Sequence, residues 1–400
     1  DLSNGSLLTG DGGSITVNAV TGFTTLNTSL DTTAGTGGGS VEANVSNGTM
    51  AITGGDATVN GAGSILLTAK GAVSDIQLDT NLTSADGSIT LLADNDITLS
   101  ATTNILSQAS GSITLTADND GSNVGSITMA SGSRVESQGG QIQISAAGDI
   151  ALSGITTTGG RVDITSTLGG ITDNDSTGVN NVTASQLVLN SNLSIGQLAD
   201  AIDTAIAFLE ADAGTGGLFL DNTGALTIGG ITAQDGLDAD LDIVIHNTGT
   251  LNVTETVQSA TGSVTLDATD TLTVDLATTI STLGTGAILL TSNRNIKLNS
   301  GSNLKTVNGG ITLLANDGGL TAGDFIGVEA ENATISTTGT GNILISGFGG
   351  ADVVTSDHHG VFLHSGTTVS SSASGIDAGT ITINGTAGEG INDNHGIIID

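Results

Sequence analysis

The chain predicts an all-β fold: a right-handed parallel β-helix with three short strands per coil, a coil period of about 24, and one short inserted helix. Three observations predict it. One phrase recurs at a fixed spacing, with Gly63-Ser64-Ile65-Leu66-Leu67, Gly87-Ser88-Ile89-Thr90-Leu91 and Gly111-Ser112-Ile113-Thr114-Leu115 each standing 24 positions after the last. Within one such period, Ile89/Leu91, Ile97/Leu99 and Ile105 are separated by clusters of Gly, Asn, Asp, Ser and Thr, the mark of three short strands joined by turns. The composition, with 61 Gly, no Pro and no Cys in 400 residues, excludes collagen and a disulfide framework. Disorder is excluded as well, because only 12% of residues are charged and 37% are hydrophobic.

Residues 1–185 read as β-helix coils. A meander of hairpins would need turns every 8–12 residues or so and would have no preference for 24, whereas a three-strand coil predicts that period directly. Alternation inside each strand turns Ile and Leu to one side and Thr or Ser to the other. Residues 186–222 break the pattern. Ser194 to Ala211 has Leu198, Ile202, Ala205, Ile206 and Leu209 at helical spacing, with Ser194 and Gln197 as a capping box, so we expect a short amphipathic helix inserted between coils or lying across them. Coils resume over 223–335, where Gly262-Ser263-Val264-Thr265-Leu266 is followed 24 positions on by Gly286-Ala287-Ile288-Leu289-Leu290, and Ile288 is followed 23 further on by Ile311-Thr312-Leu313. Over 336–400 the coils widen, since Asp357-His358-His359-Gly360-Val361-Phe362-Leu363 is answered 36 positions later by Asp393-Asn394-His395-Gly396-Ile397-Ile398-Ile399. The chain opens at Asp1 rather than Met and stops just after an apolar run, so we read it as a piece of something longer that continues in wider coils.

The charge is lopsided. Forty acids, 33 of them Asp, stand against six bases, a net charge of −34 that argues against nucleic acid as a partner, because phosphate binding needs clustered Lys and Arg. No apolar run reaches the roughly 20 residues of a membrane span, so no membrane insertion is expected of this segment. Aligning coils at 24 places Lys70 over Asp94, Asp94 over Asp118 and Asn95 over Asn119, and puts Asp270, Arg294 and Asp317 on successive coils.

The G-S-I-T-L phrase, Ala93-Asp94-Asn95-Asp96-Ile97-Thr98-Leu99 and Gly341-Asn342-Ile343-Leu344-Ile345-Ser346-Gly347 carry a resemblance. With few aromatics and few bases, they resemble the β-helical shafts of filamentous-haemagglutinin-like adhesins and giant repetitive bacterial surface proteins, over nearly the whole chain except roughly 186–222. The resemblance implies secretion to the cell surface and service as a stalk or fibre.

Candidate chemistry is sparse. Ala93-Asp94-Asn95-Asp96 and Ala117-Asp118-Asn119-Asp120 repeat, and stacking would bring Asp94 near Asp118 and Asp96 near Asp120, oxygen ligands that Ca²⁺ could bridge. The competing reading is that the four aspartates cap corner turns with no cofactor at all. His358, His359, His364 and His395 gather late, with His359 able to stack on His395, and corner histidines beside solvent are expected rather than a zinc site. Lys70, Arg134, Arg161, Arg294, Lys297 and Lys305 are scattered singly and there is no Trp or Tyr for sugar stacking, so a polysaccharide lyase or hydrolase is disfavoured and the chain is not expected to be an enzyme. The expectation is a structural segment of a long extracellular or cell-surface protein, a rigid stalk or fibre subunit. Its partners would be other copies of itself, end to end or side by side, or other surface components. The alternative is an adhesin domain that binds a receptor or glycan through loops after residue 335, with Phe325, Phe348 and Phe362 as its aromatic surface.

Overall fold

The structure is a computed structural model and describes residues 2–3, 6–10, 12–26, 29–34, 38–175, 178–319, 321–373 and 378–400. The chain divides into two compact units, Asp1–Ala205 and Ile206–Asp400. Each is a parallel β-solenoid, and no helix occurs among the described residues.

In the first unit, strands pair with their counterparts one coil on, all in parallel. On one face Ile65–Ala69, Ile89–Ala93 and Ile113–Ala117 stack with Ile65 opposite Ile89 and Ile89 opposite Ile113, so the period read from the sequence is the register itself. A second face stacks Ile76–Asp79, Ile97–Leu99 and Ile127–Met129. A third stacks Leu82–Ser84, Asn104–Ser107, Arg134–Ser137 and Gly154–Thr157. The alternation in each strand points one set of side chains inward. Ile89, Leu91, Ile97, Leu99 and Ile105 are fully buried, each such side chain contributing about 1.5–3 kcal/mol on leaving water. Because each backbone N–H is wanted by the neighbouring coil, a proline would cost a rung, which accounts for a chain with none.

The second unit repeats the plan. Val264–Ala268, Ile288–Ser292, Ile311–Ala315, Ile343–Phe348 and Ile381–Thr386 form one face. Leu272–Val274, Ile296–Leu298, Val328–Glu331, Val361–His364 and Ile397–Ile399 form another. A third carries Thr279–Thr282, Asn303–Thr306, Thr334–Thr337 and Thr368–Ser371.

The repeated glycine has a steric cause. A Cβ on Gly87 would lie 1.9 Å from the carbonyl oxygen of Gly63, one on Gly111 2.2 Å from that of Gly87, and one on Gly309 1.7 Å from that of Gly286. Coils therefore touch backbone to backbone at this corner. Beside it runs a column of hydroxyls that point inward, against the expectation of hydroxyls out. Ser84, Ser107, Ser137 and Thr157 occupy one register position and are all buried. Ser84 Oγ donates to Gly63 O at 2.8 Å and accepts from Gly87 N at 2.8 Å, so the buried hydroxyl closes the corner. In the second unit the buried Thr282 and Thr306 bond at the same corner in another way, donating to the carbonyls of their own corner glycines, Gly286 O and Gly309 O, at 2.6 Å.

The inserted helix expected over 194–211 does not form. In the first unit Ile202–Ala205 is a strand beside Val182–Thr183. In the second, Phe208–Asp212 is a strand that pairs with Leu226–Ile228 and then with Leu237–Ala239. The segment holds two periodicities, and the burial shows which prevails: Ile202, Thr204 and Ile206 are buried at a spacing of two, as are Leu209, Ala211 and Ala213, whereas Leu198, the first residue of the helical stripe, is 74% exposed. A strand edge already presented by the adjacent coil offers every N–H and C=O a partner, which an isolated helix of five turns or fewer does not match. Glu210 gains from this placement. It is fully buried, and its carboxylate accepts from the backbone N–H groups of Ile231 and Thr232 at 2.6 and 2.9 Å and from Thr232 Oγ1.

Candidate binding groove in the second unit

Most corners of the second unit are short. Only residues 293–295 separate Ile288–Ser292 from Ile296–Leu298, but 316–327 separate Ile311–Ala315 from Val328–Glu331, and 349–360 separate Ile343–Phe348 from Val361–His364. The widened corners stack on one another. Gly350 N donates to Phe325 O at 2.9 Å, Gly323 N to Ala351 O at 3.1 Å and Gly388 N to His358 O at 2.8 Å. They rise beside the outward face of the strands that carry Thr273, Lys297 and Glu329, which stand in register on successive coils. The result is a groove of about 630 Å³ with Thr271, Thr273, Asn295, Lys297 and Glu329 on the strand side and Asp324, Phe325, Ile326, Ser356 and Asp357 on the loop side, with Arg294 between.

Arg294 and Lys297, two of the six bases and read from the sequence as isolated, thus converge. The Arg294 guanidinium lies 5.2 Å from the centre of the Phe325 ring and 3.7 Å from Asp270 Oδ1, the neighbour expected from the coil alignment. Its Nε is buried and has no hydrogen-bond partner. Lys297 Nζ lies 3.7 Å from Glu329 Oε2, and Glu329 Oε1 lies 3.6 Å from His364 Nε2. The His364 ring stacks on Phe362 with centroids 4.1 Å apart. Of the aromatics expected to form a surface, Phe362 is half-buried on the outer face, whereas Phe325 is 7% exposed and serves as the platform beneath Arg294.

Two of the histidines behind the groove, His358 and His359, are not the solvent-facing corner residues expected, whereas His395 is exposed as expected. His358 is fully buried and His359 is 5% exposed. His358 Nδ1 meets the carbonyl of Glu389 at 2.5 Å and Nε2 meets Thr355 Oγ1 at 2.9 Å. Since a carbonyl only accepts, the proton is assigned to Nδ1. Asp324 Oδ1 lies 3.4 Å from the same Nε2. His359 does stack near His395, with rings 5.5 Å apart, and its Nδ1 accepts from His395 N at 3.2 Å. Burial pushes the His359 imidazole below its ordinary value, Asp357 and Asp393 pull it up, and His395 and His358 push it down.

The four aspartates singled out as oxygen ligands fall into two different relations. Ala93 pairs with Ala117, so Asp94 and Asp118 follow paired residues on adjacent coils. Ile97, however, pairs with Ile127, because the corner after Asp118 is six residues longer, and Asp96 therefore lies beside Ser126 rather than Asp120. All four carboxylates accept hydrogen bonds. Asp94 takes Gly71 N at 2.6 Å on Oδ2 and Asn119 Nδ2 at 3.2 Å on Oδ1. Asp96 takes Ser126 N at 2.8 Å, Asp118 takes Asn123 N at 2.9 Å, and Asp120 takes Ser122 N at 3.1 Å. No group of three or more His, Cys, Asp or Glu side chains placed to hold a metal occurs among the described residues. Lys70, expected beside Asp94, is exposed and makes no ion pair among them. No helix of the described residues is long and apolar enough to cross a membrane.

The sequence could have pointed to the groove through one signal, the lengthening of the coil period from 24 to 36. No family model, no curated protein and no solved structure matches this chain.

Proposed function

We propose that the chain is a structural segment of a long extracellular or cell-surface repeat protein, a stalk or fibre subunit whose copies associate end to end or side by side. One observation carries this reading: within each unit the residues are spent on repeating the coil. Core, glycine column and buried hydroxyl column recur at the same register positions. A parallel solenoid in which each coil contacts only its neighbours suits a part whose property scales with length. The likeness of the G-S-I-T-L and A-D-N-D-I-T-L phrases to haemagglutinin-like shafts supports secretion and surface display. Electron microscopy and sedimentation of the purified chain test the proposal. Extended particles, or filaments that grow with protein concentration, are expected; compact monomeric particles would contradict it.

A second reading is favoured by the groove: a domain that binds a receptor or glycan through the loops after residue 335, together with the earlier corner that carries Asp324, Phe325 and Ile326. The widened corners build a walled, polar cleft beside the outward strand face.

A further inference from the structure

We infer that the Arg294–Lys297 groove binds a saccharide bearing a single carboxylate, with the two cations holding the acid group and the loop carboxylates holding hydroxyls. This rests on the second reading above and gives it a ligand chemistry.

The groove holds unused donors. Arg294 carries five N–H groups in a fixed fork, and Lys297 carries three. The nearest anion to each is 3.7 Å away, outside the 2.7–3.2 Å or so of an N–H···O bond, and neither side chain makes a hydrogen bond among the described residues. A buried donor left unmade, such as Arg294 Nε, is an uncommon feature of a folded protein and is relieved by any acceptor that reaches it. The stack on Phe325 and the backbone bond from Arg294 N to Ser292 Oγ at 3.0 Å place the fork in advance, so little side-chain freedom is lost on binding. A planar carboxylate matches that fork better than a lone oxygen does.

The rest of the groove selects the carrier. Asp324 and Asp357 expose 61% and 69% of their side chains at its loop side, as acceptors that suit sugar hydroxyls and repel a second acid group. The net charge of −34 disfavours a polyanion as well. Asp270 and Glu329 each stand 3.7 Å from one of the two cations, which leaves room for one further negative charge bonded directly to their N–H groups, with hydroxyls around it. The volume of about 630 Å³ lies within the range of small-molecule sites.

Titration calorimetry with cellobiouronic acid and cellobiose isolates the carboxylate, since the two differ only in the oxidation of one CH₂OH. The acid is expected to bind at least about tenfold more tightly, because a charge-assisted pair is worth about a factor of ten or more. Tetragalacturonate is expected to bind more weakly than the disaccharide acid at low salt. Arg294→Gln and Lys297→Gln should each erase the preference for the acid, and Arg294→Lys should retain only part of it, while Lys305→Gln, on another face, leaves it intact; melting curves show whether each variant folds. Equal binding of both disaccharides, lost in the groove variants, overturns the inference while leaving the broader binding reading standing. No binding of either disaccharide to the wild-type chain also overturns it, and a glycan array then decides the broader reading separately. An acid preference that survives in both groove variants places the site elsewhere and overturns it too.

Discussion

His359 is almost enclosed in the second widened corner, and burial holds its imidazole below the ordinary histidine value of 6.5 against the pull of Asp357 and Asp393. The unfolded chain takes up the proton near pH 6.5 and the folded chain only at lower pH, so this group's contribution to stability is whole above about 6.5 and is lost as pH falls through the interval down to the folded value. Asp173 and Asp238 act with the opposite sign. Burial raises both above 3.8, and Asp212, opposite Asp238 on the adjacent coil, raises that one further. Their contribution is present below pH 3.8 and is lost as pH rises from there through the folded values. His359→Asn keeps an acceptor for His395 N and removes the titrating ring. Its urea midpoint is expected to fall less than that of the wild type between about pH 7.5 and pH 5.5, whatever its absolute stability at neutral pH. An unchanged slope would mean that another group controls the acid response.

At the scale of the strand and corner, the glycine column sets a sharper demand than any turn. A Cβ on Gly111 would lie 2.2 Å from Gly87 O and 2.6 Å from Ser107 Oγ, and the carbonyl belongs to a coil fixed by ladders on three faces. Gly111→Ala is therefore expected to lower stability by about 3 kcal/mol or more, as overpacking against backbone does. Gly154→Ala is the control. It also sits in a coil, but its Cβ would meet nothing closer than 3.4 Å, so it is expected to be neutral or slightly stabilising through lost freedom in the unfolded chain. Denaturant melts of both variants check the pair, and equal effects would remove the steric account. This column was legible in the sequence because it recurs with the same period as the strands it adjoins. The segment 194–211 was not, because Ile202, Ile206 and Leu209 fit a helical stripe while Ile202, Thr204 and Ile206 fit a strand, and only the neighbouring strand edge decides between them. The groove was hidden for a related reason. Arg294 and Asp357 are far apart in the chain, and a constant register cannot show that corners lengthened to twelve residues wall the same cleft. The Asp96–Asp120 pairing failed through the same loss of register, displaced by one longer corner.

Across the whole molecule, forty acids stand against six bases, and where two acids share a register position on adjacent coils, as Asp212 and Asp238 do, the step between them is about 4.8 Å. In water at low salt each such neighbour pair repels by about 0.9 kcal/mol, and the Debye length of about 30 Å at 0.01 M lets many coils contribute. At 0.15 M the length falls to about 8 Å and only adjacent coils still interact. The melting temperature is therefore expected to climb with NaCl through this range and then level off. The identity of the cation separates general screening from a bound ion. Asp94 already receives Gly71 N and Asn119 Nδ2, one on each oxygen, and Asp118 receives Asn123 N, so the corner carboxylates are occupied by donors from their own chain. CaCl₂ and NaCl matched in ionic strength are then expected to raise the melting temperature equally, with a chelator reversing neither rise. An excess for Ca²⁺ at micromolar concentration, lost in Asp94→Asn and Asp118→Asn, would instead assign those two aspartates to an ion. Equal rises leave Asp94 and Asp118 as caps of their own corners, with the repulsion among the acids relieved by an ionic medium.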